Sequence, residues 1–511
     1  MKKSLFLISL IASACNLFAQ EPADALRYSW YIPGGTAREQ AIGGAMGSLG
    51  GDLTATFINP AGLALYKTGD FVVTPRFSFG NTRANYLDRQ EKQNSNKFTW
   101  GTTGFVLGNG GGNGNVRNSS FSIAYNRMAD FNSNIIYRGQ NNKSSYSQKY
   151  LEEIRIGIIK DPNSVASDFP FGSSLAFNTF WIDTVGGGSA GNYQFQTRSP
   201  IATGLLQQNS ILSSGGIDEI ALGLSMNLKD KLLIGGSFGV PILHYKRTTE
   251  FLEADATSNP DNKFNYAQFQ DNLSTTGVGL NLKLGVIYKP DDYWRIGLAF
   301  HTPTIYSLTD KYSATVTTDT EGYMGVQTQS TEDVNNSVSE YKYNLTTPYR
   351  VIGSLSYVIR ETEDVSKQKG FITADAEYVN YKASSFSVDN SSGDQSDKDY
   401  FSQLNDAIDQ AYKGTFNFRL GGELKFTTLM VRAGAAYYGN PYKNIKGENG
   451  SKLNLSGGLG YRNNGFFIDL TYIYALHKDV NYPYRLQYAS SPIATLKTGR
   501  SNILLTVGFK I

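Results

Sequence analysis

The chain has 511 residues, 53 of them Gly, 33 Tyr and 29 Phe, with a single Cys. Its 47 Lys and Arg nearly balance 44 Asp and Glu, leaving a formal net charge of +3, and no cationic stripe marks a nucleic-acid face. Past the N-terminus no apolar run approaches the ~18 residues of a spanning helix, which excludes a helical membrane protein but not a membrane β-barrel, whose strands are only half apolar.

The first residues, MKKSLFLISLIASACNLFAQ, read as an export leader over 1–19. Lys2 and Lys3 form the charged start, Leu5 to Ala14 the apolar core, and Ala19 a small residue for cleavage. Cys15 is the one cysteine, so a chain cut after Ala19 has no disulfide and no thiolate metal ligand. Residues 20–68 are rich in Gly and Ala and lack strand alternation. Short helices and tight turns are expected there, folded as a plug. Asn59-Pro60-Ala61-Gly62 closes this segment. Pro60 fixes φ and donates nothing to a ladder, Gly62 tolerates unusual backbone, and Asn59 can bond the local turn, so these residues read as a hinge between plug and wall.

From residue 69 onward apolar and polar residues alternate again and again. In TGVGLNLKLGVIY, Val278, Leu280, Leu282, Leu284 and Val286 share one face and Asn281, Lys283 and Gly285 the other. FFIDLTYIYAL, WRIGLAFH and SNILLTVGFKI repeat the pattern, and the phase of WRIGLAFH turns His301 inward. About fourteen strands are expected near 69–86, 97–108, 116–129, 216–229, 231–249, 274–289, 293–317, 340–361, 369–388, 415–427, 429–439, 451–462, 465–476 and 498–511. Tight turns such as Lys229-Asp230 and Asn463-Asn464 alternate with long polar loops at 130–215, 250–273, 318–339, 389–414 and 477–497. Short turns at one rim and long loops at the other belong to an outer-membrane barrel rather than a soluble sandwich. Such a wall meets membrane lipid with its apolar face, and the chain reads as a monomer. Helices are expected inside two of the loops, near 199–214 and 399–413. Pro75 and Pro241 each remove a ladder donor and mark bulges or a wall opening. Phe509, near the C-terminus, resembles the signal that outer-membrane assembly machinery reads.

Signals for catalysis are sparse, and no enzyme, metal or cofactor is expected. His244, His301 and His477 are far apart in sequence, and no nucleophile elbow appears. GNGGGNGNV, 108–116, lacks the Lys-Ser/Thr of a phosphate loop and reads as a turn. DNSSGDQSDKDY, 389–400, departs from an EF-hand loop and reads as solvated.

With barrel and plug in place, GTAREQAIGGAMGSLGGDLTATFINPAGLALYK, 35–67, resembles the N-terminal hatch of the FadL/TodX outer-membrane transport family. The matching positions are Gly43, Gly44, Gly47, Gly50, Gly51, Asp52 and then Asn59, Pro60, Ala61 and Gly62. The resemblance implies passive uptake of a hydrophobic small molecule, a long-chain fatty acid or an aromatic hydrocarbon. Cargo would be captured among surface loops and passed to a deeper site at the plug's N-terminus. Exit could be lateral, through a kinked wall strand. Mapped here, Tyr28, Trp30, Tyr31 and Ile32 would form the deep site. Phe169, Phe171, Phe177, Phe180 and Trp181, in the most apolar stretch of the 130–215 loop, would form the capture site. Arg38 could meet a cargo carboxylate or pair with a wall acid. A haemin receptor, and an adhesin or structural barrel, are the alternatives.

Overall fold

A computed structural model of the chain describes residues 20–112, 114–185, 193–257, 259–335, 338–360, 368–389, 395–443 and 450–511. The leader expected over 1–19, with Cys15, lies outside the described residues.

Period-two alternation builds one closed wall of fourteen antiparallel strands, with a helical and irregular N-terminal region. The wall begins with β1 (Asp70–Val73) and β2 (Pro75–Tyr86), then β3 (Arg89–Trp100) and β4 (Thr103–Gly110), then β5 (Val116–Asp130) and β6 (Ser133–Asn141). A small separate hairpin, β7 (Ile182–Thr184) and β8 (Phe195–Thr197), precedes the long strands β9 (Leu205–Leu228), β10 (Leu232–Asp255) and β11 (Tyr266–Tyr288). After them come β12 (Trp294–His301) with β13 (Ile305–Asp319), a short flap β14 (Val326–Ser330), β15 (Ser339–Thr346) with β16 (Arg350–Arg360), and β17 (Gln368–Asn380) with β18 (Ser385–Val388). The last five strands are β19 (Gly414–Phe426), β20 (Leu429–Tyr438), β21 (Lys452–Asn463), β22 (Phe466–Asn481) and β23 (Ala494–Lys510). Closure comes from β1 and β2 pairing with β23, Asp70 opposite Lys510 and Arg76 opposite Leu504.

The outward face is apolar. Leu280, Leu282 and Leu284 are about half exposed, as are Ile296, Leu298, Leu420, Leu459 and Leu470 on other strands. A sheet face this greasy is stable only against lipid. The inward face carries the charges and the small residues, and His301 points inward as its phase requires, its Nε2 2.7 Å from the Ile58 carbonyl. Prolines sit where strands break. Pro75 opens β2 after the interruption at Thr74, and Pro303 lies between β12 and β13. Pro241 leaves no shift of register, yet the β10–β11 ladder skips from Gly239 to Ile242.

The wall departs from its sequence reading above the apolar band. The segment near 199–214 is not a helix, because β9 already begins at Leu205. Residues 89–96, given no strand, belong to β3, and β6 and the start of β9 take both ends of the expected 130–215 loop. β10 and β11 likewise run into 250–273, and β22 and β23 into 477–497. These extensions stand beyond the membrane, where both faces are wet or covered by loops, so alternation no longer marks them. The helix expected near 399–413 is present as Gln395–Ala411.

Inside the wall, residues 20–68 form α1 (Pro22–Arg27), α2 (Ala37–Ala41), α3 (Ala55–Ile58) and a 3-10 turn at Pro60–Leu65. Thr36 caps α2, its side chain accepting from the Glu39 N–H. The wall receives this plug through glycines on its inward face. A Cβ on Gly297 would stand 2.4 Å from the Gly47 carbonyl, one on Gly421 2.2 Å from that of Ile42, and one on Gly235 2.5 Å from the backbone of Pro60. Plug backbone therefore lies directly on wall backbone, a closeness that any side chain would forbid.

Above the lumen, the chain between β6 and β9 folds as a cap containing α4 (Ser147–Ile156), α5 (Pro162–Asp168) and α6 (Ser173–Asn178). Past β14 come α7 (Thr331–Asn335) and then α8 (Gln395–Ala411). Phe401, Leu404 and Ile408 of α8 share a buried cluster with Ala25, Leu26 and Tyr28 of the plug.

Candidate functional site

The sequence residues fall into three groups. In the cap, Trp181 is fully buried and stacks on Tyr146 at 5.6 Å, and Phe169 is buried as well. These two support the cap from within. Phe171, Phe177 and Phe180 are half-buried, in edge contacts with Tyr312, Phe195 and Tyr323 at 5.6, 6.0 and 5.9 Å. The cap is pinned to the barrel by Glu253, a fully buried carboxylate at the extracellular end of β10. Its Oε1 accepts from Ser145, from Ser199 at 2.6 Å and from the Trp181 indole at 3.1 Å, and its Oε2 from the Tyr146 N–H and Gln207, both at 3.1 Å. Burial pushes this carboxyl above its ordinary value, against the pull of those donors.

The second group lies at the plug's N-terminus. Tyr28 is fully buried beside Phe131 and Tyr245, with ring centroids 5.9 and 6.1 Å away. Trp30, Tyr31 and Ile32 are half-buried. The Arg350 guanidinium lies over the Tyr31 ring at 4.3 Å, and Lys452 Nζ lies 3.5 Å from the Trp30 ring centre. His477 approaches the same indole edge-on at 6.0 Å. Sequence reasoning reached the aromatics and missed the cations beneath them. A lysine or arginine at an inward strand phase was the available signal.

The third group ties plug to wall. Gly43 and Gly44 have φ of +70 and +79, and Gly43 lies against the backbone of Ala435. Asp52 accepts from the Thr36 hydroxyl at 2.8 Å and the Thr54 N–H at 2.9 Å. The Asn59 amide donates to the carbonyls of Gly47 at 2.6 Å and Val286 at 3.3 Å, while its Oδ1 accepts from the Ala61 N–H. Pro60, Ala61 and Gly62 are buried in the 3-10 turn that Asn59 caps, with Gly62 packed on Gly50. Arg38 finds a wall acid, its Nε 3.6 Å from Glu423, and donates to the Gly51 carbonyl.

Behind the plug, the lumen charges pair with one another. Glu377 joins Arg350 and Arg419, Arg432 joins Glu423 and Asp469, and Lys283 joins Glu219. Taken from water, each such charge requires its partner.

One stretch of the wall lacks a ladder. β4 pairs with β5 from Thr103 opposite Tyr125 downward, and β5 bulges between Arg127 and Ala129. Above that level β3 pairs with β2, and β6 with β9. Among the described residues no ladder joins β3 to β5 or β6. The plug enters the break. The Gly34 N–H donates to the Arg127 carbonyl at 2.8 Å, and the Gly35 carbonyl accepts from the Thr102 N–H at 3.2 Å. Higher up, side chains alone close the seam, through the Arg138–Glu91 pair at 2.7 Å and the Tyr86–Tyr137 contact at 4.9 Å. Phe98 and Trp100 flank it with outward-facing rings.

A fourteen-stranded barrel, plugged by its own N-terminus and capped by surface loops, is the class of protein this geometry defines. Its fold is that of a Pseudomonas aeruginosa FadL homologue, at 14% identity over 94% of this chain and 99% of that one, TM-score 0.56. The P. putida toluene transporter TodX is similar over the same shares, at 12% identity and TM-score 0.52. No protein-family model matches the chain, and no curated protein sequence matches it. At these identities the likeness is one of fold.

Proposed function

We propose that this protein is an outer-membrane channel for passive uptake of hydrophobic small molecules, with the plug as its gate. The observation that carries the reading is the seam: the plug's Gly34-Gly35 backbone fills the break just above the β4–β5 ladder, between Thr102 and Arg127. Lumen and wall opening are thereby stopped by the same segment, so moving it opens both. Cargo is captured at the cap around Phe171, Phe177 and Phe180, and passes to the half-buried aromatics Trp30, Tyr31 and Ile32. It leaves through the seam beside Phe98 and Trp100. A hydrophobic molecule released there enters lipid without crossing water. The solved barrels of the same fold include the toluene transporter TodX, which supports a hydrophobic cargo.

Deleting residues 21–60 tests the reading. The truncated barrel, with its strand content checked by circular dichroism, is expected to leak small sugars in liposome swelling, while the full chain stays tight. A barrel built only for adhesion or support predicts no uptake in either form, and a tight truncated barrel refutes the gate.

A further inference from the structure

Four cations form a row on the outer face of the wall, and register rather than any one stretch of sequence brings them together. Arg83 of β2 lies opposite Lys92 of β3 on one side and opposite Lys497 of β23 on the other. Lys497 in turn lies opposite Lys478 of β22. All four are exposed, in the same outward phase as Phe79, Ile503 and Leu476, which are exposed lower on these strands. Neighbouring strands stand about 4.8 Å apart, so the row is about 14 Å long. Leu476 is two residues below Lys478, about 7 Å nearer the membrane. The row therefore stands where the apolar band ends, at the height of lipid headgroups on the extracellular side. Like charges directly opposite one another destabilise a sheet. Here three such pairs follow in succession, and among the described residues none of the four cations has an ion pair or a side-chain hydrogen bond. The nearest acids along the chain face elsewhere: Glu91 reaches Arg138 across the seam, and Asp479 lies 3.5 Å from His477. Two other outer cations, Lys246 and Lys311, are arranged differently. Ser274 of β11 stands between them, and Lys311 pairs with Glu340 at 3.1 Å.

We propose that this row binds the phosphates of a bis-phosphorylated lipid in the outer leaflet of the membrane. Phosphate oxygens supply the counter-charge that the opposed pairs lack, and Arg83 can hold one group through two parallel N–H donors. A row of this length has room for two phosphates, while Phe79, Tyr474 and Leu476 below it meet the acyl chains. Headgroup and chains thus find complementary surfaces on the same few strands. The bound lipid ties β3 to β2, β23 and β22 above the band, where the β2 ladder is the one that holds β3 among the described residues. Neither the plug nor the lumen takes part.

Native mass spectrometry tests this, with the protein in mild detergent titrated with lipid A carrying two phosphates and with the same lipid dephosphorylated. The wild-type protein is expected to hold the bis-phosphorylated lipid about tenfold or more tightly. Arg83→Gln combined with Lys497→Gln should bring that preference to within about twofold. Lys246→Gln combined with Lys311→Gln removes as many outer cations and should leave the preference intact. All four substituted side chains are exposed, and circular dichroism checks that each variant keeps its strands. A wild-type protein that holds both lipids equally overturns the proposal. So does an Arg83→Gln, Lys497→Gln variant that still prefers the phosphorylated lipid. Equal loss of preference in both double variants would mean that net charge alone attracts the lipid, and it overturns the row as a site.

Discussion

At the scale of single residues, the plug is held by contacts that leave no room for a side chain. A Cβ on Gly285 would stand 1.8 Å from Asn59 Oδ1, and that oxygen is committed to the Ala61 N–H. Gly285→Ala therefore has to push Asn59 away from the Gly47 and Val286 carbonyls as well. The expected cost is about 1–3 kcal/mol, the range of an overpacked site. Asn59→Ala costs a similar amount by leaving the buried Gly47 carbonyl and Ala61 N–H without their side-chain partner. Combined, the two changes should destabilise by less than their sum, because the second removes what the first collides with. Urea unfolding of the three variants measures this, and strict additivity would place Asn59 and Gly285 out of contact. Asn59-Pro60-Ala61-Gly62 looks in sequence like a set of chain breakers. In the fold it is a buried turn clamped to β11, so any movement of the plug has to break or carry these contacts.

At the scale of elements, legibility follows the solvent. Where the wall meets lipid on one side and the lumen on the other, alternation is strong, and β11, β12, β22 and β23 could be read residue by residue. β3 could not. Its sequence RQEKQNSNKFTW is polar on both faces because most of the strand stands clear of the apolar band. The hairpin that starts it turns on Leu87 and Asp88, with φ of +46 and +64, rather than on the Asn-Gly pair that would have announced it. The segment 199–214 was misleading for a related reason, since SPIATGLLQQNSILSS mixes apolar and polar residues without a clean period of two, and β9 covers most of it. The site aromatics were legible by type. Their roles were not, because burial separates Phe169 and Trp181, which hold the cap together, from the half-buried Phe171, Phe177 and Phe180. The cap also carries a pH dependence. Burial raises the Glu253 carboxyl, so between about 4.3, the ordinary glutamate value, and its raised value the folded cap binds more protons than the unfolded one. Cap stability therefore falls as pH climbs through that window and is greatest on the acid side. Hydrogen exchange of the α4 and α6 amides, corrected for intrinsic rates, should show increasing opening as pH rises above the ordinary glutamate range, and Glu253→Gln should flatten the trend. A wild-type profile already flat would mean that the five donors outweigh burial.

At the scale of the molecule, the seam, the plug and the cap form one continuous construction. Tyr137 of β6 packs at a tilt against Tyr86 of β2 and donates to Asn481 of β22, while Gln207 of β9 contacts both Tyr86 and Glu253. The side chains that close the seam are therefore bonded to those that hold the cap down, and the plug backbone fills the same break lower in the wall. This arrangement makes lateral exit separable from binding. Residues 20–511 contain no cysteine, so Glu91→Cys with Arg138→Cys can be introduced as a sole pair at the position where Arg138 now reaches Glu91 across the gap. Bridged by a short bis-methanethiosulfonate linker, which spans the distance the two long side chains now span and is released by reduction, the pair should hold β3 against β6. Cargo binding to the purified protein is then expected to stay within about twofold of the reduced form, a change too small to signal a lost contact. Uptake by whole cells should fall sharply and return on reduction. Uptake that is indifferent to the cross-link would place the exit elsewhere, along the lumen past α2 and α3. Loss of binding and uptake together would make the seam part of the site rather than its door.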